Sequence, residues 1–252
     1  MAYTSDREGE VFILSRLADL KARCEGRRQP CFLGFLDDFQ RKVCQDNLKK
    51  SPLFHRFFGG YEDAERNYLG ISPWEEDLTD DKFPIACVEV TFRPQDNLGH
   101  RDLLGSVMGL FLKREAVGDI LVEEGHARLY LSSTVKETVL SQLTKVGRAG
   151  VSCREVPLGG TGIRHYQEMT GSVSSLRLDC LAAFAGNLSR SDAAQLISGG
   201  LVAVDGQVVL DKTRVIKRGE KLSIRGTGKF LFDGELGTSK KGKLRVRLRK
   251  YS

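Results

Sequence analysis

The sequence predicts an α+β protein with three parts: a helical N-terminal segment, a central domain of mixed strands and helices, and a small basic module near the C-terminal end. Helical periodicity fills most of the first fifty residues, and a β-α-β-β-α-β pattern then runs from about residue 85 to residue 156. In the last third, two helical patterns joined by a turn precede several short strands. A chain of 252 residues has room for two or three such domains.

Charge is distributed unevenly along the chain. Residues 172–252 contain 16 Lys and Arg against 7 Asp and Glu, a net charge of +9, whereas residues 1–171 have a net charge of −3. A basic module joined to a mildly acidic body is typical of a protein that binds a polyanion through one domain.

The composition disfavours several other classes of protein. The first ten residues carry four charged side chains, unlike a signal peptide, and the longest apolar stretch, Gly105–Leu112, is far shorter than the roughly 20 residues that span a membrane. The six cysteines show neither a CxxC pair nor the Cys/His spacing of zinc ligands. We therefore expect a cytoplasmic protein with reduced thiols and without a metal, cofactor or membrane partner.

Residues 1–72 are expected to form a helical region. Ser5-x-x-Glu8 is a candidate capping box, and apolar residues from Phe12 to Leu20 follow it at helical spacing. A second helical pattern runs from about Leu36 to Lys49. Gly59-Gly60 then breaks regular structure, and the acidic stretch from Ser72 to Pro84 is predicted to be a loop.

Residues 73–158 are predicted to form a ferredoxin-like domain, because their strand and helix patterns follow the order β-α-β-β-α-β. The predicted elements are strand Ile85–Arg93, helix His100–Arg114, strands Asp119–Glu123 and Ala127–Ser132, helix Thr134–Val146 and strand Val151–Val156. RNA-recognition sheets share this order but carry aromatic side chains that stack on bases. Here Ala127–Leu131 offers only Tyr130, so base stacking on this sheet is not expected.

One polar cluster in this domain has two interpretations. His100, Arg101 and Asp102 lie at a predicted strand-to-helix junction, where they could supply acid–base chemistry. Since no nucleophile or cofactor motif accompanies them, a structural role is favoured, with His100 or Asp102 capping the helix. We therefore expect no catalytic residue and no enzymatic activity.

Residues 159–172 are predicted to be a linker, because Gly159–Gly162 lies among turn-forming residues and Gly171 closes a polar stretch. The C-terminal module, residues 173–252, then begins with a helix over Ser174–Ala185. No internal repeat is visible along the chain.

The second helix of the module has a clear start. Ser189 is placed to cap it, and Asp192 three residues later completes a box-like cap. Arg190 occupies the first helical position, beside free backbone N–H groups that favour phosphate. Further on, Asp205-Gly206 is typical of a two-residue hairpin turn that needs positive φ.

The last strands are predicted to be basic. Lys221–Arg225 is predicted to be a strand that delivers Arg225 next to a glycine. The stretch Lys240–Lys250 has seven basic residues and no acidic one, and its arginines alternate with Leu and Val. This alternation predicts a strand that packs its apolar side and projects the guanidinium groups of Arg245, Arg247 and Arg249 from the other side.

Several short motifs of the module resemble a known RNA-binding domain. The series Arg177-Leu178-Asp179, Ser189-Arg190-Ser191, Gly200-Leu201-Val202 and Asp205-Gly206 is similar to the alpha-L motif of the S4 domain, over roughly Val173 to Phe230. Two departures are mild: Asp205 stands where Asn is commoner, and Glu220 where Asp is commoner. Neither is expected to change the fold.

The body of the chain extends this resemblance. Gly59–Arg66 and the segment from His100 to Ile120, together with the C-terminal module, resemble the bacterial YlmH family of RNA-binding proteins over nearly the whole chain. The resemblance implies association with the large ribosomal subunit and peptidyl-tRNA, in the rescue or quality control of stalled translation.

The residues expected to contact RNA lie at helix ends, turns or strands of the basic module. They are Arg177, Ser189, Arg190, Ser191, Gln195, Lys212, Arg214, Arg225, Lys229, Arg245, Arg247 and Arg249. We expect their side chains to form a single surface for the backbone of structured rRNA or tRNA.

Two other functions remain open. Alpha-L modules often accompany RNA-modifying enzymes, in which case the central domain would be the catalyst. The N-terminal helices could alternatively bind a protein partner, which would make the chain a scaffold with an RNA-binding module.

Overall fold

The computed structural model describes residues 6–159, 166–239 and 242–251. The chain divides into two compact units, residues 1–163 and 164–252. Each unit has its own apolar core.

The first unit begins with a small helix-on-sheet layer. Its elements are α1 (Asp6–Arg27), β1 (Cys31–Leu36), α2 (Asp38–Leu48), β2 (Phe54–Phe58) and β3 (Asn67–Ser72). The strands form an antiparallel sheet in the order β1-β3-β2. The buried side chains of α1, Ile13, Leu17, Leu20 and Cys24, recur every three or four residues and pack in one core with this sheet.

This layer confirms the two predicted helices and corrects the description of residues 1–72 as helical. Its three strands were not predicted. The central one, β3, is buried at all six positions and therefore shows no alternation of apolar and polar residues. The start of α2 is capped by Asp37, whose side chain accepts a hydrogen bond from Gln40 N at 2.9 Å. Ser5 of the predicted capping box lies outside the described residues.

Between the two sheets of this unit, residues 73–84 contain two single turns of 3-10 helix, Glu75–Asp77 and Asp80–Lys82, and no strand. The predicted loop is therefore observed. Gly60, in the turn after β2, has φ +99° and lies against Tyr130, where a Cβ atom would come 2.6 Å from the ring. Only glycine fits this position.

The central part has the predicted element order. It comprises β4 (Ile85–Thr91), α3 (His100–Met108), β5 (Val117–Glu123), β6 (His126–Ser132), α4 (Lys136–Gln142), a short hairpin of β7 (Lys145–Val146) and β8 (Ala149–Gly150), and β9 (Ser152–Val156). The four long strands form an antiparallel sheet in the order β5-β6-β4-β9, the arrangement of a ferredoxin-like domain.

Both helices of this part are shorter than predicted. Helix α3 ends at Met108 rather than Arg114, because Gly109 and a left-handed residue at 111 close it. Helix α4 ends at Gln142, and Lys145 and Val146, predicted to be helical, form β7 instead.

The second unit packs two helices on a six-stranded antiparallel sheet. Its elements are β10 (Tyr166–Val173), α5 (Leu178–Gly186), α6 (Arg190–Ser198), β11 (Val202–Val204), β12 (Gln207–Val208), β13 (Lys221–Ile224), β14 (Gly228–Thr238) and β15 (Leu244–Tyr251). The strand order is β10-β15-β14-β13-β11-β12. Buried Leu181 and Ile197 of the helices share one core with Phe230, Phe232 and Leu248 of the strands.

Two expectations for this unit need correction. Residues 166–172, predicted to be part of the linker, form most of β10, an edge strand paired with β15 along its whole length. The first helix begins at Leu178 rather than Ser174. The predicted hairpin turn is confirmed: Asp205 and Gly206 have φ values of 49° and 79°.

Candidate nucleic-acid interface

A buried carboxylate organises the start of α5. Asp179 is 4% exposed. It accepts hydrogen bonds from Arg177 Nε at 3.1 Å, from Arg190 Nη2 at 2.8 Å and from its neighbour's backbone, Cys180 N, at 3.0 Å. Burial opposes ionisation, but the hydrogen bonds from Arg190 and Arg177 outweigh it and hold the pKa of Asp179 below its ordinary value. One carboxylate therefore positions two guanidinium groups from two helices.

The start of α6 lies beside this carboxylate. Ser189 caps the helix, as predicted, and its Oγ accepts a hydrogen bond from Asp192 N at 3.1 Å. Ser191 Oγ lies 2.7 Å from Ser189 Oγ. The Arg190 side chain reaches back to Asp179 while 58% of it remains exposed. Gln195 lies further along the helix and is also exposed.

A loop before β13 brings two more cations to this place. The carbonyl oxygen of Arg214 accepts from Leu178 N at 2.8 Å, and that of Lys212 accepts from Asp179 N at 3.1 Å. The Lys212 side chain is exposed, whereas the Arg214 guanidinium pairs with Glu220 at 3.1 Å. We call Arg177, Arg190, Lys212 and Arg214, with Ser189 and Ser191, the helix-start cluster.

Arg225 and Lys229 lie in and just after the turn between β13 and β14. Arg225 N donates to Leu201 O at 2.9 Å, which holds this turn beside the end of α6, and its side chain is exposed. Thr227 of the same turn approaches Gly186 at the end of α5. The Lys229 ammonium lies 5.2 Å from the centre of the Tyr251 ring.

The three arginines of β15 lie on a different surface. Val246 and Leu248 of this strand are buried against the core that the helices cover, so the alternate side chains Arg245, Arg247 and Arg249 project from the opposite face of the sheet. The expected projection from one face is observed. They do not join the helix-start cluster, and the expectation of a single surface is therefore wrong.

This second surface also contains an acid. Asp233 of β14, whose side chain is 10% exposed, pairs with Arg247 at 2.7 Å, with Arg249 at 2.9 Å and with Arg218 at 3.9 Å. Three guanidinium groups around one carboxylate keep a net positive charge. We call Arg218, Arg245, Arg247 and Arg249 the outer-face arginines.

Sequence reasoning did not identify Asp179, Asp233 or Arg218 as parts of these sites. The Arg-x-Asp spacing of Arg177 and Asp179 gave a signal, since it places both at the start of one helix. Asp233 gave no such signal, because its partners are 14 to 16 residues away along the chain and Arg247 and Arg249 meet it only through the pairing of β14 with β15.

In the polar cluster of the first unit, Asp102 has the capping role expected from the sequence. Asp102 Oδ2 accepts a hydrogen bond from Gly99 N at 2.9 Å and so caps α3. Burial, together with the nearby charge of Arg114, lowers the pKa of His100. Within residues 6–159, 166–239 and 242–251, no three His, Cys, Asp or Glu side chains come together as metal ligands. Likewise, no helix of the described chain is long and apolar enough to cross a membrane.

Comparison with known proteins agrees with this architecture. Residues 79–159 match the family described as the putative RNA-binding domain in YlmH, and residues 176–222 match the S4 domain. The fold and the basic helix-start cluster thus define an RNA-binding protein of the S4-domain class.

Matches over the whole chain identify the family. The ribosome-associated protein quality control protein P2 of Bacillus subtilis (strain 168) is 30% identical over 247 residues, which cover 97% of this chain and 96% of that protein. A solved structure, the cell division protein ylmH from Streptococcus pneumoniae, shares the fold with a TM-score of 0.52 at 23% identity and covers 62% of this chain and 94% of its own. The chain belongs to the YlmH family.

Proposed function

We propose that the protein is a non-enzymatic factor that binds structured rRNA and tRNA on the large ribosomal subunit, and acts in the rescue or quality control of stalled translation. The observation that carries the proposal is the helix-start cluster. Asp179 holds Arg177 and Arg190 side by side, with Lys212 close by and the Ser189 hydroxyl at the start of α6. Guanidinium and hydroxyl donors fixed in this way suit phosphate and sugar oxygens.

The relative in Bacillus subtilis supports the cellular part of the proposal, since its name places it with the ribosome and with protein quality control. Its match covers nearly all of both chains. A factor that acts on ribosomes in a bacterium works in the cytoplasm, which is the location we propose.

A non-enzymatic role is favoured because polar side chains of the first unit make structural hydrogen bonds within it. The Asp102 carboxylate caps α3, and the carboxylate of Asp119 accepts hydrogen bonds from Tyr61 Oη at 2.6 Å and from Glu65 N at 2.7 Å. These contacts stabilise the unit. RNA incubated with the protein is therefore expected to keep its mass, and a mass change on spectrometry would instead support an RNA-modifying enzyme.

Co-sedimentation with purified ribosomal subunits tests the proposed partner. We expect the protein to pellet with the large subunit and not with the small one, and crosslinking to identify rRNA and tRNA contacts in residues of the helix-start cluster. Equal binding to both subunits, or crosslinks to ribosomal proteins alone and none to RNA, would contradict the proposal.

A further inference from the structure

A turn at the end of α3 holds a phenylalanine outside the fold of the first unit. Phe111 is 97% exposed. Its φ is +60°, in the left-handed region where a bulky side chain is an outlier and glycine is usual. A single exposed apolar side chain is ordinary on a protein surface. An exposed apolar side chain on a residue with an unfavourable backbone conformation is unusual, because neither feature stabilises the folded unit.

The backbone that carries the ring is held in place by packing and by a hydrogen bond. Leu110 and Leu112, on either side of Phe111, pack against the core that contains Leu103 and Val107 of α3. The backbone N–H of Phe111 donates to Met108 O at 3.1 Å. Both neighbours are therefore anchored while the ring lies outside the core. Little backbone conformational entropy is then lost when a ligand covers the ring.

Two exposed lysines lie on the segments that adjoin the ring. Lys113 follows Phe111 by two residues, and Lys145 lies on β7, which packs against α3. The acid that follows Lys113 most closely along the chain, Glu115, is paired with Arg16 at 2.8 Å. Residues 1–171 as a whole have a net charge of −3, so exposed cations beside the ring are not a general property of this unit.

We propose that Phe111 stacks on an unpaired base of bound RNA, while the exposed Lys113 and Lys145 neutralise the adjacent phosphates. An exposed aromatic ring among cations is how proteins hold single-stranded nucleic acid. A protein partner fits less well, because an apolar anchor is normally surrounded by further apolar contacts, and here Leu110 and Leu112 on either side pack against the core and leave the ring as a single exposed apolar group. The inference rests on the proposed RNA-binding function and adds a contact in the first unit, away from its sheet.

The chain offers a direct spectroscopic test, because Trp74 is its one tryptophan. In the double variant Trp74→Phe, Phe111→Trp, the new indole reports on position 111 alone. Single-stranded RNA of about 12 nucleotides should quench its fluorescence at saturation, and a duplex of equal length should quench it much less. Anisotropy of labelled RNA measures binding in the same sample. Binding without quenching would overturn the inference and leave the proposed function intact, whereas absence of binding to any RNA would overturn both.

A second variant separates stacking from a structural role. Phe111→Gly removes the ring and relieves the left-handed backbone, so the first unit should become more stable in thermal unfolding while affinity for single-stranded RNA falls roughly tenfold, the scale of one base–aromatic stack. Phe54→Ala, which truncates an exposed phenylalanine on the edge strand β2, is the matched control and should leave affinity unchanged. Unchanged affinity in Phe111→Gly, or equal loss in both variants, would contradict the inference.

Discussion

Asp179 contributes to stability at the residue scale, because it is buried and accepts hydrogen bonds from two arginines and a backbone N–H. Asp179→Asn should lower the free energy of unfolding by about 1–3 kcal/mol at neutral pH. Since the pKa of Asp179 is lowered in the folded state, the carboxylate stabilises the fold above the unfolded pKa, and this contribution is lost as the pH falls. The difference in free energy of unfolding between wild type and Asp179→Asn should therefore become smaller below about pH 4.

Urea denaturation at several pH values checks this expectation. Glu235→Gln is the control, because Glu235 is an exposed carboxylate of the same unit, and its change should stay within about 0.5 kcal/mol. If the difference in free energy of unfolding between wild type and Asp179→Asn stays constant down to pH 3, ionisation of Asp179 does not stabilise the fold.

Arg190 should contribute to binding more than to folding, since 58% of its side chain is exposed and one edge of the guanidinium is held by Asp179. Arg190→Ala should weaken RNA binding by roughly 1–3 kcal/mol, the scale of a charge-assisted hydrogen bond. A gel-shift assay measures the affinity, and circular dichroism shows whether the fold is kept. Arg154→Ala, which removes an exposed arginine paired with Glu89 in the first unit, should leave affinity unchanged.

Sequence patterns predicted single residues well where the cause is local. Ser189 caps α6 because a hydroxyl at this position reaches the N–H three residues later, and this rule needs no tertiary information. The contact between Arg190 and Asp179 crosses eleven residues and two helices. Such a pair depends on how the helices pack, so helical spacing alone could not reveal it.

At the scale of elements, the hairpin between β11 and β12 depends on backbone conformation. Gly206 has φ +79°, so Gly206→Ala should destabilise the second unit by about 1 kcal/mol. Gly105→Ala is the opposite control, because Gly105 lies inside α3 with no atom near a new methyl group, and the change should stabilise the first unit by roughly 0.5–1 kcal/mol. Chemical denaturation measures both changes, and stabilisation by Gly206→Ala would refute the assigned turn.

Elements that keep a regular apolar period could be predicted, whereas β3 and β14, which keep none, could not. Alternating apolar residues revealed β15, and the helical period revealed α1. Strand β3 is buried on both faces, and β14 is interrupted by two register shifts near Gly234 and Gly237, so neither keeps a regular period. The two-sided burial and the shifts are products of tertiary packing.

At the scale of the whole molecule, cations on more than one surface should make RNA binding sensitive to salt. The helix-start cluster with Arg225 and Lys229 supplies about six phosphate contacts, so log affinity should fall with log salt concentration with a slope of about −4 to −5. Fluorescence anisotropy between low and high salt measures the slope. Adding Arg247→Ala and Arg249→Ala shows whether the outer-face arginines contribute, and a nearly flat salt response in the wild type would refute phosphate-based binding.

The strand Tyr166–Val173 limits where the chain can be divided. Its Gly171 lies beneath the Phe184 ring, so closely that a methyl group there would come 2.3 Å from a ring carbon, and its whole length pairs with β15. A fragment that started at residue 173 would leave the backbone of the arginine-bearing strand without its neighbour and open to pairing with other molecules. A fragment that isolates the S4 domain therefore has to begin upstream of Tyr166. A shorter one would have an incomplete sheet that is prone to aggregate through its exposed edge.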